Sequence, residues 1–89
     1  MAKRGKLEII RDILGIVQNS NSIKPTPLLR QSNISSSRFK EYFSEMIDKK
    51  FIKSVRGNRD EKLIVLTEKG NKFLEKYKTI VNFIEEFEL

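Results

Sequence analysis

Between Leu7 and Val17 the apolar residues Leu7, Ile10, Ile13, Leu14 and Val17 recur at helical spacing, and Ile9 and Ile16 widen the stripe to about half the circumference. Such a helix is sandwiched between neighbours. The pattern ends in Asn19 to Ser22, whose side chains compete for backbone hydrogen bonds and favour a turn. Within Ile23 to Ser32 the pattern predicts a short second helix over Pro27 to Ser32. Thr26 caps it and Pro27 takes the first position, where a missing N–H costs nothing. A break at Asn33 and Ile34 precedes a third helix with a serine-rich start at Ser35, in which Phe39, Phe43, Met46 and Ile47 share one face. The β-branched and aromatic runs Phe51 to Arg56 and Lys62 to Leu66 flank the turn formers of Gly57 to Glu61 and predict a hairpin with a charged tip. Thr67 then caps a last helix over Glu68 to Glu88. The expected fold class is α+β and mostly helical, in the order α-α-α-β-β-α.

Composition changes that picture in three ways. A chain of 89 residues with 38% hydrophobic residues supports one modest core and leaves no room for a second independent one. The absence of Cys and His removes disulfides, thiolate and imidazole metal sites, Cys nucleophiles and His general bases. With no nucleophile, base and orienting partner in recognisable spacing, no enzyme activity and no cofactor are expected. The net charge is +6, and residues 1–62 carry 14 Lys+Arg against 7 Asp+Glu, whereas residues 63–89 carry 4 against 5. The positive charge thus belongs to the first two thirds, where an acidic partner would meet it. No apolar run is long enough to cross a bilayer and charges interrupt any signal-peptide core near the start, so the expected location is cytoplasmic and nucleoid-associated, with no membrane partner.

Two helices joined by a minimal break and followed directly by a hairpin make a helix-turn-helix with a wing. In that arrangement two helices brace a third, which is narrow enough for a major groove, while the hairpin tip lies over the neighbouring backbone. The stretch Lys6 to Leu14, the turn Asn33-Ile34-Ser35, Phe51-Ile52 after the third helix, and Leu66-Thr67-Glu68-Lys69-Gly70 at the last helix together resemble the small archaeal winged-helix DNA-binding proteins of the chromatin-associated or regulatory type. The likeness spans nearly the whole chain. It implies binding of double-stranded DNA, as a transcription regulator or chromatin-associated protein, by a homodimer whose last helices pair antiparallel. Residues 1–66 would form the DNA-binding domain and residues 67–89 the helix for packing and dimerisation. Two departures stand out: the last helix is short, and the wing is longer and more charged than a minimal family wing.

At 100° per residue, the apolar face of the third helix turns Ser37, Arg38, Lys40, Glu41 and Ser44 outward near its start. With Ser36 they form the candidate groove-facing set. Serines donate to phosphates, Arg38 suits a guanine edge or a phosphate, and the helix N-terminus adds partial positive charge. Arg56 and Arg59 on the wing, flanked by Lys53 and Lys62, are candidates for gripping the backbone, as are Lys3, Arg4 and Lys6 on an N-terminal arm and Arg30 on the second helix. Glu41, Glu45 and Asp48 on the outward face repel phosphate, so only the first turns of the third helix are expected to approach DNA closely. Glu41 can instead accept from a cytosine amine, and Glu45 pairs with Lys49.

On the last helix Phe73, Tyr77, Ile80, Ile84 and Phe87 form a coiled-coil seam, which Val81, Phe83 and Leu74 broaden. Part of it must pack along the first helix, and the rest favours a homodimer. Lys69, Lys72, Lys76 and Lys78 precede Glu85, Glu86 and Glu88, so an antiparallel pair brings opposite charges together. Gly70 on the apolar side implies close backbone packing. A winged helix used for protein–protein assembly without DNA, and one that binds RNA, remain open as alternatives.

Overall fold

The computed structural model describes residues 5–89 and contains α1 (Lys6–Ser20), α2 (Pro25–Ser32), α3 (Ser36–Asp48), β1 (Ile52–Arg56), β2 (Lys62–Leu66) and α4 (Glu68–Glu86). Element order and class are those expected from the sequence. Helix α1 is the centre of the fold: it buries Ile9, Ile10, Ile13, Leu14 and Val17 and packs against α2, α4 and β2. Leu28 from α2, Phe39 and Met46 from α3, and Ile52 and Ile64 from the hairpin close around it. Leu7, at the start of the predicted stripe, stays 60% exposed.

Helix α2 begins two residues earlier than expected. Lys24 is its N-cap, without a side-chain cap bond, and Pro25 rather than Pro27 occupies the first turn's opening position. The reason lies just upstream, where Ile23 and Ile64 exchange backbone hydrogen bonds of 3.1 and 2.7 Å. That bridge pins the chain in an extended conformation, and the following proline keeps Lys24 extended as well. Either proline removes only an N–H that has no partner in a first turn, so the bridge decides where the helix starts. Thr26 is accordingly inside the helix and caps nothing.

Asn33 adopts a left-handed conformation between α2 and α3, and the Ser35 hydroxyl caps α3 by accepting from the Arg38 N–H at 3.3 Å. The start of α1 is tied to α3 by Lys6 Nζ, 3.0 Å from Glu45 Oε2, with Lys49 Nζ at 3.5 Å on the same oxygen. The strands pair antiparallel from Ile52↔Leu66 to Arg56↔Lys62, and the tip closes through Gly57 N–H to the Glu61 carbonyl at 2.8 Å.

At the foot of the hairpin the carbonyl of Phe51 accepts from the Thr67 backbone N–H at 3.1 Å, and Thr67 Oγ1 lies 3.0 Å from the same oxygen. That hydroxyl oxygen also accepts from the Gly70 N–H at 3.1 Å, capping α4. A Cβ on Gly70 would run into the Phe51 carbonyl and the Leu66 side chain, so the close packing expected at this glycine is observed. The Phe73 ring rests on Phe51 with centroids 5.2 Å apart and so belongs to the protomer's own packing. Beyond Val81 the helix runs away from the core. Among the described residues no helix is long and apolar enough to cross a membrane.

Two predictions come from this packing. Gly70→Ala is expected to lower stability by about 1–3 kcal/mol in spite of alanine's better helix propensity, and Thr67→Ala by about 1 kcal/mol through the lost cap. In thermal unfolding each 1 kcal/mol reads as about 4–8 °C for a domain of this size; a Gly70→Ala protein that melts higher than wild type contradicts the packing described.

A further prediction concerns Glu45. Its hydrogen bond from Lys6, helped by the charges of Lys49 and Lys6, holds its pKa below the ordinary 4.5 against the opposing effect of desolvation. A carboxylate whose folded-state pKa is depressed contributes stability that is complete above its unfolded value and is lost as pH falls through the folded value. Lys6→Ala is therefore expected to move the Glu45 titration upward toward 4.5, followed by NMR of the side-chain carboxyl carbon, and to remove part of that acid-side stability.

Candidate nucleic-acid interface

The first turns of α3 present Ser36, Ser37, Arg38, Lys40, Glu41 and Ser44, all exposed as their helical phase predicts. The opposite side of the same helix is anchored by Phe39 and Met46, so burial of two large side chains fixes the direction in which the polar set points. Arg38 lies with its guanidinium carbon 6.0 Å from the ring centroid of Tyr42, one turn on. That contact steadies the long side chain over its own helix. Tyr42 is half-buried on the flank of the apolar face.

The hairpin lies beside this surface. Lys62 Nζ stands 5.9 Å from the centroid of Phe43 on α3, which links the tip end of the strands to the helix. Directly across the strands from Lys62 is Arg56, whose guanidinium bonds Asp60 Oδ1 at 2.8 Å and reaches the Asp60 carbonyl at 3.4 Å. Arg56 therefore shapes the wing tip, with its charge partly answered. Arg59 at the tip and Lys53 on β1 are exposed and make no ion pair among the described residues, and the same holds for Arg30 at the end of α2 and Lys40 on α3. Lys6 is engaged with Glu45. Lys3 and Arg4 lie outside the described residues.

The structure thus separates the basic residues named from the sequence into two kinds. Among the described residues Arg30, Arg38, Lys40, Lys53, Arg59 and Lys62 make no ion pair, while Lys6 and Arg56 are partnered by carboxylates. Glu45, expected to face outward with Glu41, is turned toward the start of α1 and answered by two lysines. The outward face is consequently less acidic than the sequence pattern implies.

Between α2 and α3 lies an open hollow of about 480 Å3, lined by Pro25, Thr26, Leu29, Ser36, Ser37, Phe39, Lys40 and Phe43. It brings Thr26 beside the serines and the lysine that open α3, and exposed Lys24 sits at the same end of α2. Thr26 and Lys24 were not among the candidates read from the sequence. The available signal was Pro25, which fits a helix start as well as Pro27 does and would have put both residues at the exposed mouth of α2. Taken together, two helix starts, a cluster of hydroxyls and several exposed cations that make no ion pair among the described residues offer hydrogen bonds and positive charge to an extended anionic surface.

Comparison with known proteins accords with this geometry. The chain is 32% identical over 82 residues to an uncharacterized protein from Methanocaldococcus jannaschii; the match covers 92% of the chain and 36% of the relative, so the chain spans about a third of that protein's length. Among solved structures it is similar to Sso10a-2, described as a DNA-binding protein from Sulfolobus solfataricus, with a TM-score of 0.74 and 21% identity over 94% of this chain and 85% of that one. It is also similar to F93 from STIV, described as a winged-helix DNA-binding protein, with a TM-score of 0.68 and 21% identity over 89% of this chain and 91% of that one. A MarR family transcriptional regulator from Silicibacter pomeroyi has a TM-score of 0.75 at 17% identity, over 90% of this chain and 55% of that one. The family model for winged helix-turn-helix proteins matches residues 3–85, which takes in α1 to α3, the hairpin and nearly all of α4, and the chain belongs to the winged helix-turn-helix family.

Proposed function

We propose that the protein binds double-stranded DNA as a homodimer, setting the first turns of α3 into the major groove and the wing over the adjacent backbone, in the manner of a transcription regulator or chromatin-associated protein. The observation that carries this reading is the coincidence of Ser36, Ser37, Arg38 and Lys40 on one exposed face with uncompensated Arg59 and Lys53 on the wing beside it. The descriptions of Sso10a-2 and F93 as DNA-binding proteins support it. Backbone contacts fix position and base-edge contacts carry sequence. Arg59, Lys53 and Arg30 fall in the first class and Arg38 in the second.

Duplex binding is expected to weaken with salt at a slope of about −0.9 per phosphate neutralised. Fluorescence anisotropy across a salt series, with structured RNA as competitor, checks this; a flat response, or stronger binding to RNA, removes the proposal. Arg59→Ala should weaken all duplexes alike and reduce the salt slope by about one unit per protomer. Arg38→Ala should cost about 1–3 kcal/mol more on a preferred site than on random DNA. Equal losses on both would assign Arg38 to the backbone and favour a packaging role. Arg56→Ala, whose guanidinium is already held by Asp60, should reduce the slope less than Arg59→Ala.

The dimer rests on the far half of α4, where Ile80 is 58%, Phe83 53%, Ile84 41% and Phe87 59% exposed. Full burial of a side chain of this kind contributes about 1.5–3 kcal/mol. The lysines of the first half and Glu85, Glu86 and Glu88 at the end support an antiparallel pair. Tyr77 and Val81, half-buried against their own protomer, border that seam, whereas Phe73 is occupied by Phe51. Ile84→Asp with Phe87→Asp is expected to yield a monomer in light scattering at micromolar concentration and to weaken DNA binding through lost bivalency. A wild-type protein that is already monomeric there contradicts this part of the reading.

A further inference from the structure

Gly15 sits in the middle of α1, the helix on which the core is built, yet nothing among the described residues of the protomer asks for a glycine there. A Cβ at this position would have no neighbour within 4 Å. Apart from proline, glycine is the least favourable residue inside a helix, and its usual structural use is to let another part of the chain come close. Gly70, in the same molecule, shows that use fulfilled against the Phe51 carbonyl; at Gly15 the space is empty.

The space has a definite shape. Arg11, Gly15 and Gln18 on α1 face Leu74, Tyr77, Lys78 and Val81 on α4 across a hollow of about 280 Å3. Gln18 Nε2 donates to Asn71 Oδ1 at 3.1 Å and closes one end, while the Arg11 guanidinium carbon lies 5.4 Å from the Tyr77 ring centroid. Those two contacts make α1 and α4 antiparallel, so exposed Leu7 extends the α1 side of the groove toward the outer half of α4. The floor is aliphatic and aromatic, and the rim is cationic.

Resting on the α4-paired dimer proposed above, we propose that this groove over Gly15 is the seat for Phe87 of a second copy, and that Gly15 sets the register of the pair. One register and two observations lead to that occupant. An antiparallel pairing centred between Ile80 and Val81, at the inner edge of the exposed apolar segment that runs from Ile80 to Phe87, sets the second copy's Phe87 opposite Leu74 and its Ile84 opposite Tyr77, and both of these lining residues belong to the groove. Phe87 is 59% exposed in its own protomer, where its ring meets that of Phe83 at a centroid distance of 4.9 Å. The charges also match: Glu85, Glu86 and Glu88 surround Phe87, and Lys78 stands at the groove, whose other cation, Arg11, is already paired with Asp12 at 2.9 Å. The interface is then formed by α1 as well as α4, and each copy contributes one aromatic ring and receives one.

The test is a bump-and-hole exchange read by sedimentation equilibrium. Gly15→Leu, whose Cβ meets no described neighbour within 4 Å, projects its side chain into the groove and is expected to weaken dimerisation at least tenfold. Phe87→Ala is expected to weaken it by itself, but to cost little or nothing further once Gly15→Leu is present, because the ring it removes no longer has a seat. Gly15→Ala supplies a milder second variant: its melting temperature at dilute, monomeric concentrations should rise while its dimer dissociation constant increases. A dimeric wild type in which Gly15→Leu leaves the dissociation constant unchanged, or in which the losses of Gly15→Leu and Phe87→Ala simply multiply, overturns the seat and leaves the α4 pairing standing. A monomeric wild type removes both.

Discussion

The carbonyl oxygen of Phe51 is where this fold is locked. It receives the backbone N–H of Thr67, with the Thr67 hydroxyl close by, and Gly70 has no side chain to hold the two apart. The contact joins the residue that leaves α3 and enters β1 to the residue that leaves β2 and enters α4, so four elements meet at one backbone oxygen. Because the hydroxyl of Thr67 also caps α4, the hairpin cannot close without orienting the last helix, and α4 cannot tilt without disturbing the hairpin. Phe73 on Phe51 adds an aromatic contact to the same junction.

Much of this was legible in the amino-acid pattern because the controlling interactions are local. The serine run before α3, the threonine before α4 and the apolar periodicities act over three to seven residues, which is the range that spacing reveals. The outward set Ser37, Arg38, Lys40, Glu41 and Ser44 follows from helical phase once Phe39 and Met46 are assigned to the core. What escaped were consequences of distant contacts. The start of α2 is set by Ile64, far along the chain from Ile23, and two prolines each compatible with a first turn give no local preference. Lys6 and Glu45 are on different helices, so a pattern that put Lys6 on an arm along the DNA and paired Glu45 with Lys49 had no reason to join them. Arg56 and Asp60 are only four residues apart, but they come together through the reversal at the wing tip rather than along a helix.

Those pairings refine the electrostatics. A net charge of +6 spread over a small surface says little about where an anion will sit. Once the carboxylates have taken Lys6, Lys49 and Arg56, the candidate cations that make no ion pair among the described residues are Arg30 on α2, Arg38 and Lys40 on α3, and Lys53, Arg59 and Lys62 on the hairpin. Acidic residues thus contribute by quenching cations elsewhere, which sharpens the field on the side that carries the hydroxyls.

The Ile23–Ile64 bridge gives the two-stranded hairpin a third backbone partner. A lone hairpin is marginal in water and its open edges invite pairing with other chains. Here the side of β2 that faces away from β1 is covered at its centre by the segment leading into α2, leaving β1 as the open edge, where Lys53 places positive charge and Arg56 a charge partly answered by Asp60. Like charge along that edge disfavours sheet-to-sheet association between copies. The same basic residues that suit the wing to a polyanion therefore also protect the molecule, before any partner arrives, from growing into a continuous β-structure with itself.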